Sequence, residues 1–236
     1  MKMTVLGNNG PFPADEGACS SYLFSFMGQN LLCDLGAGSL QNLVRVIRPE
    51  KLDVIVITHF HFDHFSDLLV LRYYLNHLRS KNLLHKKICL YVPEDPLMGL
   101  VMDDTVFDTH VIEEDRILEM ESWSVAFSET NHPVRCYGLS LSGKSRQIVL
   151  TSDTVYTEKM VKFCHRADLL VADCCLLNGQ QGYHLTAGDC GKLAREAGAR
   201  ALLLSHLNPM NDTETALAQA REHHRNTMPA EILQTY

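Results

Sequence analysis

The feature that most constrains this chain is a cluster of histidines directly after a short apolar run. Residues 53–58 (DVIVIT) are rich in β-branched side chains, which is typical of a strand buried on both faces of a sheet. The chain then continues as His59-Phe60-His61-Phe62-Asp63-His64. Open α/β sheets assemble their sites from loops at the carboxyl ends of strands. The cluster therefore predicts a metal-binding loop carried by a layered α/β fold.

The residue types in this loop suit two divalent ions. Neutral imidazole and carboxylate groups are ligands that zinc, manganese and iron accept, so His59 and His61 can face one ion while Asp63 and His64 face another. Two ions roughly 3.5 to 4 Å apart can share a hydroxide. The apolar residues between the polar ones favour a buried loop over solvated surface histidines. We expect two divalent metal ions, zinc first, with manganese or iron as alternatives.

Three further polar residues follow predicted strands in the same way. His132 comes after residues 123–128, Asp153 after 147–150 and His206 after 201–204. Taken singly, each would more often be structural than metal-binding. Their shared position after a strand predicts instead that they join the metal ligands.

The remaining pattern indicates helices between strands. Leucines at a three-and-four spacing predict an apolar helix face behind an N-cap at Ser66. Two more helices are expected over 186–196, ending at Gly198, and from 213 to about 225. The predicted opening strands are 3–6, 22–26 and 30–33. We interpret the order as an α/β fold, a four-layer αβ/βα sandwich that forms a single domain over residues 1–236.

Composition limits the classes of partner. The 236 residues are 46% hydrophobic and 21% charged, which is ordinary for a globular protein, and the formal net charge is −7. Extensive nucleic-acid binding is disfavoured, because it depends on many basic groups. The eight cysteines are scattered without metal-knuckle spacing, which favours reduced, mostly buried thiols in a cytoplasmic protein.

No run is apolar and long enough for an export signal or a membrane span. We therefore expect no membrane contact. A homodimer, the commonest assembly, is compatible with this composition.

The histidine motif resembles the signature of the metallo-β-lactamase superfamily, and downstream features are similar over nearly the whole chain. In residues 32–36 (LCDLG) the resemblance makes Asp34 a residue that orients the ligand loop. It also implies that His132 completes the ligands of the first metal, that Asp153 bridges both ions and that His206 completes the second set.

Within the superfamily, the chain is similar to the tRNase Z and phosphodiesterase branch. His184 in YHLTA resembles that branch's extra histidine, which lies beside the scissile phosphate. The candidate catalytic residues are therefore His184 and, from the histidine motif, Asp63. The chain departs from tRNA-processing enzymes in two places. A hairpin turning at 142–144 stands where they insert a tRNA-clamping arm, and residues 207–211 (LNPMN) lack their usual Arg-Tyr.

Other branches fit less well. Oxygen reductases of the flavodiiron type place a glutamate where His61 stands, and glyoxalase II-like enzymes have a C-terminal helical domain for which this chain has no room. Secreted β-lactamases carry a cysteine among the ligands of the second metal, which is not visible in this sequence.

The resemblance implies a binuclear metal-dependent hydrolase, first of all a phosphodiesterase that acts on a small-molecule or nucleotide-like substrate and in which a metal-bridging hydroxide attacks phosphorus. An acyl-bond hydrolase acting on a lactone, thioester or amide, and a tRNase Z-like ribonuclease, are the alternatives. A binding scaffold without catalysis is a third class, since fold alone does not guarantee chemistry.

Overall fold

The computed structural model describes residues 1–114 and 116–236. The chain divides into two compact units. The first unit contains residues 1–8, 12–112 and 231–236, and the second contains residues 9–11 and 113–230. Each unit has its own β-sheet, helices and apolar core, so each is described by itself. The single domain expected over 1–236 stays a prediction.

The sheet of the first unit contains six strands in sequence order. They are β1 (Lys2–Gly7), β2 (Ser21–Phe26), β3 (Gln29–Cys33), β4 (Val54–Val56), β5 (Ile88–Val92) and β6 (Phe107–Val111). Strands β1 to β3 pair antiparallel, which confirms the predicted opening meander. Strands β3 to β6 are parallel, so the loop after β4 that carries the histidines lies where the carboxyl ends of these strands meet.

Helices α1 (Ser39–Val46) and α2 (Phe62–Ser80) cover one face of this sheet. The predicted leucine stripe on α2 is core, because Leu68, Leu71 and Leu75 are fully buried against strand residues such as Ile55 and Leu90. Each buried leucine contributes about 1.5–3 kcal/mol of apolar transfer free energy. The stripe therefore fixes α2, and with it the loop that leads into the helix.

A short backbone ladder covers the free edge of β1. The Met3 amide donates to the Tyr236 carbonyl at 3.1 Å, and the Tyr236 amide donates back to Met3 at 2.8 Å. The Val5 amide likewise donates to the Gln234 carbonyl at 3.1 Å. Residues 231–236 therefore satisfy an edge that would otherwise present unpaired amides and carbonyls.

The described part of the second unit has a seven-stranded sheet in the order β13-β12-β11-β10-β9-β8-β7. The strands are β7 (Ile117–Glu119), β8 (Trp123–Glu129), β9 (Tyr137–Gly143), β10 (Gln147–Leu150), β11 (Leu169–Asp173), β12 (Leu202–Ser205) and β13 (Thr227–Pro229). Strands β10 to β13 are parallel, and β7 to β10 are antiparallel.

Three helices accompany this sheet: α3 (Glu158–Phe163), α4 (Ala187–Ala197) and α5 (Thr213–Arg221). Helix α4 begins after Thr186, whose hydroxyl accepts from the Asp189 amide, and ends at Gly198 in the left-handed conformation. These ends match the prediction. The buried residues Leu193, Ala194 and Leu217 join the strand residues in one apolar core.

The α/β fold class predicted from the sequence is confirmed, with two differences in helix bounds. The N-cap of α2 is His61, not Ser66, because the end of the histidine loop itself forms the first helical turn through a 2.9 Å bond from the His64 amide to the His61 carbonyl. Helix α5 ends at Arg221, four residues early. The Arg221 side chain then donates to the Thr227 carbonyl where β13 begins.

Among the described residues, none belongs to a helix that is both long enough and apolar enough to cross a bilayer.

Candidate functional site

The first unit holds four of the predicted donors on a single loop and helix turn. His59 lies on the segment after β4, and its Nε2 is 3.1 Å from Nδ1 of His61. Asp63 and His64 follow in the first turn of α2, where Asp63 Oδ2 is 3.6 Å from His64 Nε2. The rings of His59 and His64 are 4.1 Å apart. The sequence motif therefore forms one compact cluster of nitrogen and oxygen donors.

The buried side chain of Asp34 positions this cluster through hydrogen bonds. Asp34 accepts hydrogen bonds from the Thr58 amide at 2.8 Å and the Thr58 hydroxyl at 2.9 Å, and its Oδ2 lies 2.8 Å from His64 Nδ1. A contact at Nδ1 fixes the ring and leaves Nε2 to face the donor cluster. Burial raises the pKa of Asp34, and the nearby His64 and Thr58 oppose that rise only in part.

The main chain after β3 also packs closely against the first turn of α2. Gly36 leaves no room for a side chain, because a Cβ at this position would lie 1.9 Å from the Asp63 carbonyl oxygen. The neighbouring Leu35 amide donates to the His64 carbonyl at 2.7 Å. The segment after β3 and the first turn of α2 are therefore fixed together through main-chain atoms.

The second unit brings its three predicted ligands together from three different strands. His132 follows β8, Asp153 follows β10 and His206 follows β12. Oδ2 of Asp153 is 3.8 Å from Nε2 of His132, and its Oδ1 is 3.6 Å from Nε2 of His206. Both histidine side chains and the carboxylate are almost completely buried. One carboxylate thus presents a separate oxygen to each of two imidazoles.

Asp173, which no sequence motif indicates, supports this half of the site. It is the last residue of β11, and it lies opposite Ser205 of the parallel strand β12. Its Oδ1 is 3.2 Å from Nδ1 of His206, and its Oδ2 is 2.9 Å from Nδ1 of His184. The rule that found the other residues, a polar side chain at the end of a buried strand, also identifies Asp173 once β11 is recognised.

His184 lies beside His132 and His206 in the second unit. Its ring stacks on His206 with centroids 5.2 Å apart, and it meets His132 edge-on at 5.5 Å. Nδ1 of His184 is also 3.8 Å from Asp153. This candidate catalytic histidine is therefore adjacent to the carboxylate between the two predicted ligand histidines.

The charges of Asp173 and Asp153 change the pKa of His184, and the two neighbouring histidines change the pKa of Asp173. Burial alone would lower the pKa of His184, but the hydrogen bond and charge of Asp173 and the charge of Asp153 outweigh it, so the pKa lies above its ordinary value of 6.5. Burial would likewise raise the pKa of Asp173, yet the contacts with His184 and His206 hold it below its ordinary value. The pair favours a protonated imidazole on an ionised carboxylate.

Two small residues complete the surroundings of His206. A Cβ on Gly10 would lie 2.1 Å from its Nε2, so only glycine fits against the ring. The buried thiol of Cys175 lies within 4.8 Å of ligand atoms of both His184 and His206. A cysteine therefore does stand near these histidines, contrary to the expectation from the sequence. The sequence around Cys175 has no metal-ligand spacing, such as C-x-x-C, that would have indicated this position.

Each donor set fits a divalent metal by its chemistry. Asp153, Asp173, His184 and His206 offer ligand atoms within 4.8 Å of one another, and the histidine loop of the first unit offers imidazole and carboxylate donors in pairs. Carboxylate oxygen binds all of these divalent ions, but imidazole nitrogen favours zinc, manganese and iron over calcium or magnesium.

Comparisons with known proteins agree with this chemistry. The sequence profile described as the β-lactamase superfamily domain matches residues 29–207. A relative in Bacillus subtilis, the probable metallo-hydrolase YhfI, is 32% identical over 223 residues, covering 88% of this chain and 87% of the relative.

Two solved structures are similar over the whole chain. The crystal structure of the metallo-β-lactamase fold protein YhfI from Bacillus subtilis gives a TM-score of 0.95 at 27% identity, covering 100% of this chain and 98% of the other. The short form of human tRNase Z gives 0.80 at 22% identity, with the same coverage, and this likeness supports the fold alone.

Proposed function

Because the chain belongs to the metallo-β-lactamase superfamily and is a metallo-hydrolase of that fold, we propose that it is a phosphodiesterase acting on a small or nucleotide-like substrate. The observation that carries the proposal is the contact between His184 and Asp173, next to Asp153. Attack of water on a phosphodiester breaks one P–O ester bond and expels an alkoxide or nucleoside oxygen, which needs a proton, and a positioned imidazole is a group that supplies one.

We further propose which residues hold the metal ions that the family implies. His59, His61 and His132 would bind one ion, Asp63, His64 and His206 the other, and Asp153 both. The support from Asp153 is that its two oxygens face different histidines, as a bridging carboxylate requires. When bound, two such ions lower the pKa of water and neutralise charge on a phosphoryl group.

His184 and Asp63 are assigned complementary proton transfers. Asp173 holds His184 at Nδ1, so Nε2 is the atom that can donate to the leaving oxygen. Asp63, whose side chain is about one-tenth exposed, would accept the proton of the attacking water. Asp34 and Asp173 do not touch the substrate in this proposal. They position His64, His184 and His206.

The hairpin between β9 and β10 argues for a small substrate. The Gly143 amide donates to the Arg146 carbonyl at 2.9 Å, so the turn closes within a few residues. Enzymes that process tRNA carry their clamping arm at this place, and a net charge of −7 gives no general attraction for a polyanion. An active site like that of the tRNase Z and phosphodiesterase branch, but without the arm, suits nucleotide-sized diesters.

The test is an activity comparison between His184→Ala and His165→Ala. His165 is an exposed histidine of the same unit and serves as the matched control. Both variants, loaded with metal, are assayed on a dinucleoside monophosphate, whose alkoxide leaving group needs a proton, and on a p-nitrophenyl ester, and metal content is measured in parallel. We expect His184→Ala to lose about 10²–10⁴-fold in phosphodiester kcat with its metal content unchanged.

Two results would overturn the assignment. Phosphodiester turnover within tenfold of the parent after loss of His184 contradicts its role. Turnover of the ester alone replaces the phosphodiesterase with an acyl-bond hydrolase, in which the same metals polarise a carbonyl.

A further inference from the structure

A second group of metal-binding side chains lies on the edge of the sheet in the first unit. Cys89 is on β5, and Asp108 and His110 are on the edge strand β6. The parallel register pairs Cys89 with Asp108 and Tyr91 with His110. Since paired residues share a face and residues two apart do too, all three donors are on one side of the sheet.

The three ligand atoms of this group lie close enough together to surround one ion. The ligand atoms of Cys89, Asp108 and His110 all lie within 4.8 Å of one another, and His110 Nε2 is 3.2 Å from Asp108 Oδ2. Two donors bound about 2.0 Å from a tetrahedral ion are about 3.3 Å apart. The imidazole and the carboxylate therefore already have the required separation.

The neighbourhood holds one donor in place and leaves the group open. The ring of Tyr91 stacks on His110 with centroids 5.0 Å apart and planes 25° from parallel, which restricts rotation of the imidazole. The side chains of His110 and Asp108 are 34% and 59% exposed, while Cys89 is half-buried. A metal ion can enter from solvent, and water can supply the fourth ligand.

The charges around Cys89 favour a cation. Burial raises the pKa of its thiol, and the carboxylates of Asp108 and Asp53 raise it further, against a smaller opposing effect of Lys86. A divalent ion would reverse this balance, because a coordinated thiol loses its proton.

We propose that Cys89, Asp108 and His110 bind a divalent ion of the zinc class at the edge of this sheet, separate from the seven ligands of the hydrolase site. A mixed thiolate, imidazole and carboxylate set selects zinc and its neighbours over calcium and magnesium. The ion joins the edge strand β6 to β5 through side chains, in addition to their backbone ladder. Its expected role is structural.

The first experiment is Co²⁺ titration of the holoprotein, followed by near-ultraviolet absorption from thiolate-to-cobalt charge transfer. Cys89→Ser and His110→Gln are compared with the controls Asp104→Asn and His85→Gln, which change exposed residues of the same unit. We expect one equivalent beyond the hydrolase sites, with a thiolate band that the first two variants lose and both controls keep. A band that persists in Cys89→Ser comes from another thiol, such as Cys175, and overturns the proposal.

A second measurement uses the unaltered protein, so it does not depend on the folding of any variant. Cys89 is the most accessible cysteine, because the other seven are buried. Zn²⁺ added to the holoprotein should slow alkylation of Cys89 by iodoacetamide at least tenfold, as mapped by mass spectrometry. An unchanged alkylation rate at saturating Zn²⁺ contradicts the site.

Discussion

The two units reach the same kind of donor cluster by opposite routes. In the first unit, His59, His61, Asp63 and His64 are contiguous, and one loop and one helix turn position them. In the second, His132, Asp153 and His206 follow three separate strands, and only the order of the sheet brings them together. A contiguous motif can be recognised in sequence, whereas a dispersed one depends on topology.

Each cluster is supported by a buried aspartate, Asp34 in the first unit and Asp173 in the second. The two carboxylates differ in their partners. Asp34 contacts one histidine, His64, and burial keeps its pKa raised. Asp173 contacts two, His184 and His206, and these hold its pKa below the ordinary value. We infer that Asp34 orients a single ligand, while Asp173 positions both a ligand and the proton donor.

The largest expected effect follows from this difference. Asp173→Asn should lower phosphodiester kcat/KM by about 10³-fold, because it releases a ligand and also disturbs the general acid. Asp34→Asn should lower metal affinity and activity together by about 10–100-fold. Isothermal titration with Zn²⁺ measures the metal affinity of each variant, and kinetics at saturating metal measure the activity that remains once the metal is bound. If saturating metal restores both variants equally, the distinction between the aspartates is wrong.

The glycines that abut the two clusters provide a second comparison. In Gly36→Ala the new Cβ meets backbone atoms of Asp63, which cannot give way, so unfolding free energy should fall by at least the ~1–3 kcal/mol typical of overpacking. In Gly10→Ala the Cβ meets the ring of His206, so weaker metal binding should accompany a smaller loss of stability.

Urea unfolding and metal titration measure both changes. Gly99→Ala is the control, since a Cβ there meets no atom within 4 Å, and it should shift stability by less than about 0.5 kcal/mol. A Gly10→Ala variant with full metal affinity would show that His206 is not held in place by this contact.

The smallest expected effect concerns a surface pair of the second unit. Glu114 accepts from Lys159 at 2.5 Å, and this hydrogen bond lowers the pKa of Glu114 below its ordinary value of 4.5. A lowered carboxyl pKa stabilises the folded state above the unfolded pKa, and the gain is lost as pH falls through the folded value.

Lys159→Met should therefore cost less than about 1 kcal/mol at pH 7, because both side chains are well exposed. The difference from the parent should vanish well below pH 4.5. Urea unfolding at both pH values measures it, with Lys162→Met as an exposed control on the same helix. A difference that persists in acid would exclude the ion pair as its cause.

Much of the architecture follows from local pattern. The leucine stripe of α2, the caps of α4 and the opening meander are set by spacing and by single residues such as Thr186 and Gly198, which act on their near neighbours. The histidine loop was predictable for the same reason. The fold class follows from the alternation of these elements.

Asp173 and Cys175 escaped prediction because their partners are far away in sequence. Asp173 matters only once β11 pairs with β12, since that register places it against His206. The early start of α2 was missed because its N-cap residue, His61, makes no side-chain cap hydrogen bond and is not one of the residue types that usually mark a helix start.

The ladder between β1 and residues 231–236 has a consequence for how the protein is made. A ribosome adds about 5–20 residues per second, so the first unit emerges early but receives its edge partner only after all of residues 113–230 have been synthesised. Until then the outer edge of β1 is open to pairing with another nascent chain. Completion of the first unit is thus timed by translation of the second.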